Sequence, residues 1–155
     1  MADEFDFISA TDKPALLAFS TPEWLETAKG ALQELGYKVH TAATHSDFLI
    51  RFSQFRYQVV IVEELFAANS IEENATLQTL QTMPMARRRH AAIILFGASF
   101  QTFTPMQAFQ QSVNAVINPS EVFLLRQLIE KAVADTNFFL HSYREAQSTL
   151  YAENR

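Results

Sequence analysis

Histidines, adjacent glutamates and a lone serine are the residues of this chain whose types could do chemistry, and their spacing decides which chemistry is open. His40, His45, His90 and His141 lack the short intervals at which metal ligands recur, so they read as surface or core residues and no metal site is expected. The absence of cysteine removes thiolate zinc, iron–sulfur, disulfide and cysteine-nucleophile chemistry together. Gly30, Gly36 and Gly97 are the only glycines, too few for a loop that cradles a phosphate or dinucleotide, so no cofactor is expected. Ser20 has no G-x-S-x-G context and no evident base. No catalytic residue stands out, and an enzyme is not expected. What remains is a series of residues that each follow an apolar run: Phe19 and Ser20, Glu63 and Glu64, Gly97 and Ala98, and Asn118 before Pro119.

Those apolar runs are short and read as buried strands. Ala15 to Phe19, Tyr37 to Ala42, Tyr57 to Val62, His90 to Phe96 and Asn114 to Ile117 fit five of them, with helical patterns between. Thr21 and Pro22 open the first helix and Gly36 ends it; Trp24, Ala28, Ala31, Leu32 and Leu35 form its buried face. Thr44 caps a second helix striped by Phe48, Leu49, Phe52 and Phe55. After a loop over Leu65 to Asn69, a candidate functional surface, Ser70 and Glu73 form a capping box for a third helix that stops at Met83 before Pro84. Thr104 and Pro105 open a short fourth helix through Met106 and Phe109. Strands alternating with helices predict an α/β fold: a doubly wound, five-stranded parallel sheet with helices on both faces.

From Pro119 to about Ala152 nothing interrupts a helical pattern, roughly 50 Å at 1.5 Å per residue, longer than the body of such a domain. Its stripe of Val122, Leu125, Ile129, Ala132, Thr136, Phe139, Tyr143, Ala146 and Leu150 suits a helix–helix seam. The expected organisation is an acidic tail over residues 1–12, a folded domain over 13–135 and an extension of the last helix over 136–155. A chain of 155 residues with 48% hydrophobic and 19% charged residues is a single globular domain. Asp3, Glu4 and Asp6, without a basic leader or an apolar run of spanning length, predict a cytoplasmic protein with no membrane segment. The net charge of -5 argues against a nucleic-acid partner. Arg87, Arg88 and Arg89 read as a solvated turn, with a basic docking patch as the alternative.

By order and approximate spacing, the strand-end residues resemble those of bacterial response-regulator receiver domains, the CheY-like branch of the flavodoxin-like folds. The resemblance spans about residues 13 to 135 and includes the Asn118–Pro119 junction. It implies strand order 2-1-3-4-5. It also implies that Phe19 and Ser20 stand at the acidic pair that holds magnesium, Glu63 at the phosphoacceptor aspartate, Gly97 at the hydroxyl residue and Asn118 at the lysine. Ala115 falls where receivers often carry a switching aromatic. All the functional positions are altered, so the resemblance implies a degenerate, non-phosphorylatable pseudo-receiver. At Glu63 two readings stay open, a mimic of a phosphorylated aspartate and a solvated or N–H-bonded carboxylate.

Such a module would act as a protein–protein interaction or signalling adaptor, with protein partners in a two-component pathway. Phe100, Phe103, Met106 and Phe109 crowd one loop and short helix, a region that receivers use for partner contact; as a group they form a candidate partner surface, although Phe109 taken singly is assigned to the core. Phe138, Phe139, Leu140 and Tyr143 would be bare beyond the body of the fold, at about 1.5–3 kcal/mol for each large apolar side chain left unburied, which predicts a homodimer built on the last helix. The alternatives are a flavodoxin-like domain binding a small ligand through Ser20, Glu63 and Asn118, and an atypical receiver that is still phosphorylated.

Overall fold

Residues 8–153 are described by a computed structural model of the chain. Five strands, β1 (Lys13–Ala18), β2 (Tyr37–Ala42), β3 (Val59–Glu63), β4 (Ala92–Phe96) and β5 (Ala115–Ile117), pair in parallel in the order β2-β1-β3-β4-β5. This is the doubly wound sheet expected from the sequence. Helices α1 (Pro22–Glu34), α2 (His45–Gln54), α3 (Ala75–Thr82), α4 (Met85–Arg88), α5 (Pro105–Gln110) and α6 (Leu125–Glu153) supply the crossovers and the long C-terminal element. The acidic residues of the N-terminal segment, Asp3, Glu4 and Asp6, lie outside the described residues.

The period of two along each strand divides the core. Ala15, Leu17, Val59, Ile61, Ile94 and Phe96 face one side, where α1 and α6 cover them with Ala28, Leu32, Leu125 and Ile129. Leu16, Ala18, Val60, Val62 and Ile93 face the other, against Phe48 and Phe52 of α2 and Leu80 of α3. Both faces are buried, which is why the strands read as unbroken apolar runs.

Local chemistry sets most boundaries. Gly36 adopts φ 87°, the left-handed conformation that ends α1, and the Thr44 hydroxyl accepts the Asp47 N–H at 3.1 Å to open α2. Three boundaries differ from expectation. Ser70 makes no capping bond; residues Ile71–Glu73 form a 3-10 turn, Glu73 accepts from the Asn69 N–H, and α3 starts later, capped by Asn74. Pro119–Leu124 is a separate 3-10 element, itself kinked at the non-helical Glu121, and α6 begins only at Leu125. The arginine triplet is a solvated turn only in part: Arg87 is exposed and Arg89 opens the turn before β4, but Arg87 and Arg88 close α4, and Arg88 is buried and donates to the Leu80 carbonyl at 2.6 Å.

His90 precedes β4 rather than opening it. Its ring stacks on Phe52 at 5.6 Å, and neither ring nitrogen has a hydrogen-bond partner among the described residues. Burial, and secondarily the charge of Arg56, hold its imidazole below the ordinary pKa. The folded chain therefore resists a proton that the unfolded chain takes up near pH 6.5, so the stability present above that pH is lost as pH falls through the window below it. His90→Phe keeps the stacked ring and deletes the unpaired nitrogens. Thermal melts from pH 8 to pH 5 should show the variant more stable at pH 7 by about 1 kcal/mol, and less sensitive to acid. Equal slopes for the two proteins would exclude His90 as a source of acid sensitivity.

Candidate functional site

The carboxyl ends of β1, β3, β4 and β5 meet at one edge of the sheet, where a doubly wound fold gathers its functional groups. Glu63, the last residue of β3, turns its side chain toward the start of α1 and is only 4% exposed. One carboxylate oxygen, Oε1, accepts the backbone N–H groups of Ser20 and Thr21 at 3.1 and 3.0 Å; Oε2 accepts the Thr21 hydroxyl at 3.2 Å. Thr21 thus occupies the N-cap position without capping α1 through its own side chain. Glu63 satisfies that end from across the sheet, where the helix dipole favours an anion. Of the two readings of Glu63, the geometry is that of an N–H-bonded carboxylate.

Neighbouring groups are equally engaged. The Ser20 hydroxyl accepts the Ala67 N–H at 2.7 Å, fixing the loop after β3 where Ala67 itself has φ 47°. Asn74, fully buried, donates through Nδ2 to the carbonyls of Glu63 and Glu64, both at 3.1 Å, while its Oδ1 accepts the Leu77 N–H. Glu64 reaches over the end of β4, where its Oε1 accepts the Ser99 N–H at 3.2 Å. A Cβ added at Gly97 would collide with that carboxylate and lie 2.5 Å from the Glu64 Cβ, so glycine is required by the neighbour.

Phe19 is buried, its ring 5.5 Å from that of Phe96, which Trp24 meets edge-on. Asn118 ties the opposite side together. Its Nδ2 donates to the Phe100 carbonyl at 2.7 Å, its Oδ1 accepts the Ser120 N–H at 2.8 Å, and its own N–H donates to the Thr102 hydroxyl at 2.9 Å. The structure therefore joins Ser20 with Glu63 and sets Gly97 under Glu64, but Asn118 serves a separate set of loop bonds. Among the described residues no lysine or arginine pairs with Glu63 or Glu64, and no three histidine, aspartate or glutamate side chains are grouped to hold a metal.

The aromatic cluster divides. Phe100 is buried with Leu77, Leu95 and Val116 and presents no free surface, whereas Phe103 is half-buried, packed against the core beneath Lys131. Phe109, assigned singly to the core, is 80% exposed, and Met106 beside it is exposed as well. α5 is six residues long and buries only Ala108, which turns the side chain next to it outward. On α6, Phe138, Phe139 and Tyr143 are exposed, but Leu140 is buried, so the packed body reaches one turn past the expected limit at residue 135.

Sequence reasoning passed over Thr21 as a ligand of Glu63 and Asn74 as a clamp. Asn74 carried a legible signal, since asparagine caps helices as well as serine does. The Ser70-x-x-Glu73 pattern matched a fuller template four residues earlier and displaced it.

No family model matches the chain, and no curated protein matches it in sequence. Solved structures do. NtrX from Brucella abortus, in complex with ADP, superposes with a TM-score of 0.64 at 14% identity over 89% of this chain, which spans 29% of that one. A CheY-like receiver domain protein from Methanospirillum hungatei gives 0.63 at 16% identity, covering 82% of this chain and 98% of that. CheY4 of Vibrio cholerae gives 0.62 at 15%, covering 79% and 99%. The fold is that of response-regulator receiver domains.

Proposed function

We propose that this chain is a pseudo-receiver: a signalling adaptor on the receiver fold that takes no phosphoryl group, binds protein partners in the cytoplasm and associates with itself through α6. The observation that supports it is the closure of the strand-end cleft by its own bonds. Magnesium asks for an octahedral oxygen set rich in carboxylates. Phe19 offers a ring there, and both Glu63 oxygens already face three internal donors. Phosphoryl transfer also needs a cation on the developing charge, and the corresponding Asn118 is a neutral amide bound to loop groups.

The small-ligand reading would draw on Ser20, Glu63 and Asn118, whose polar atoms are engaged with the protein, so nothing favours it. No helix among the described residues is long and apolar enough to cross a membrane. Met106 and Phe109, exposed together on α5, support contact with protein partners.

Incubation with magnesium and acetyl phosphate, followed by intact-mass measurement, should return the unmodified chain under conditions that modify a competent receiver. A phosphoryl adduct would return this protein to the phosphorylated class.

A further inference from the structure

The inward stripe of α6 is buried along Leu125, Ile129, Ala132, Thr136 and Leu140. It continues at three- and four-residue steps through Tyr143, Ala146 and Leu150 after the body has ended, and Leu150 and Tyr151 are more than half exposed. Beside the last buried turn, a groove of about 920 Å³ opens between α4, α5 and α6. Met85, Phe109 and Phe139 line it and are each more than half exposed, while Tyr143 leaves the body at its end with the Arg89 guanidinium 5.2 Å from its ring centre.

We propose that this groove receives the end of α6 from a second copy, in a two-fold antiparallel exchange that sets Leu150 and Tyr151 of each copy against Phe109 and Met85 of the other. The inference rests on the self-association proposed above and specifies its surface. A parallel pairing of the two α6 extensions alone would leave Met85, Phe109 and Phe139 bare, whereas the exchange covers them.

Area agrees. The exposed parts of Met85, Phe109, Phe139, Tyr143, Leu150 and Tyr151 amount to roughly 700 Å² per copy, taking large side chains at about 150–250 Å² each, close to the ~800 Å² per partner of a stable interface. The contact is self-complementary, as a closed two-fold dimer requires.

The chain has no cysteine, so introduced ones report one geometry each. Both Phe109 and Leu150 are exposed, and replacing them leaves the core intact. After a folding check by circular dichroism, Phe109→Cys and Leu150→Cys chains are mixed and mildly oxidised. The seating predicts disulfide-linked pairs of one chain of each kind, with Leu150→Cys alone giving none, since bridged cysteines need Cα atoms within about 7 Å. A dimeric mass with Leu150→Cys linked only to itself, or with no linked species, overturns the seating and leaves α6 self-association standing. A monomeric mass by sedimentation at tens of micromolar overturns both.

Discussion

Asn74→Ala should destabilise the folded chain by about 3–4 kcal/mol. The side chain is fully buried and makes three bonds, two as donor to the carbonyls of Glu63 and Glu64 and one as acceptor from the Leu77 N–H. Alanine leaves the Glu64 carbonyl and the Leu77 N–H in the interior without partners, at about 1–3 kcal/mol for each buried group left unpaired, and strips one of two donors from the Glu63 carbonyl, which keeps the Phe66 N–H at 3.0 Å. It also removes the cap of α3, an effect of about 1 kcal/mol on its own. Asn74→Asp separates the contributions: it keeps the cap acceptor, loses both donations and brings a third carboxylate beside Glu63 and Glu64. Urea denaturation should place the aspartate variant no higher in stability than the alanine one at pH 7. A loss under about 1 kcal/mol for alanine would mean that the loop after β3 is held by something other than Asn74.

The second large effect is expected at Gly97. Restoring a receiver-like hydroxyl there as threonine forces a Cβ to within 2.5 Å of the Glu64 Cβ and onto its carboxylate. Overpacking of this kind costs about 1–3 kcal/mol, and displacing Glu64 from the Ser99 N–H adds the loss of a charge-assisted bond, so a total of about 3–4 kcal/mol is expected. The cause can be isolated with Gly97→Ala. Glu64→Ala removes the colliding oxygen but keeps the Cβ, so it should restore little. Glu64→Gly clears both and should restore most of the loss in a double-mutant cycle. Additive effects in that cycle would show that glycine is needed at 97 for another reason.

The parts of the fold visible in the sequence are those fixed by local chemistry or by period. The five strands are legible because burial on both faces makes them unbroken apolar runs. Pro22, Gly36 and Thr44 mark helix ends through backbone constraints that act within a few residues. What stayed hidden depends on contacts distant in the chain. Glu63 meets Thr21 from 42 residues away, and Asn118 fixes Phe100 through a carbonyl 18 residues earlier. Neither pairing leaves a local signature. Residue type also gives no direction: Phe100 and Phe109 have the same side chain, yet one fills the core and the other faces outward from a helix too short to show a stripe. Leu140 differs from Phe138 and Phe139 because of its angle on α6 and the reach of the body beneath it.

The residues at the strand ends were legible in the sequence, since Phe19, Ser20, Glu63, Gly97 and Asn118 each follow an apolar run. Their bonding was not. That Glu63 turns toward α1, Glu64 covers Gly97 and Asn118 binds loop carbonyls emerges only from the assembled strand ends.

Under the proposed function no phosphoryl group or magnesium ion enters this cleft, and the amide spectrum of the intact chain on adding magnesium with beryllofluoride reads this out. The resonances of Ser20, Thr21, Glu63, Gly97 and Asn118 should stay in place across the titration. Saturable shifts centred on those five residues would contradict it.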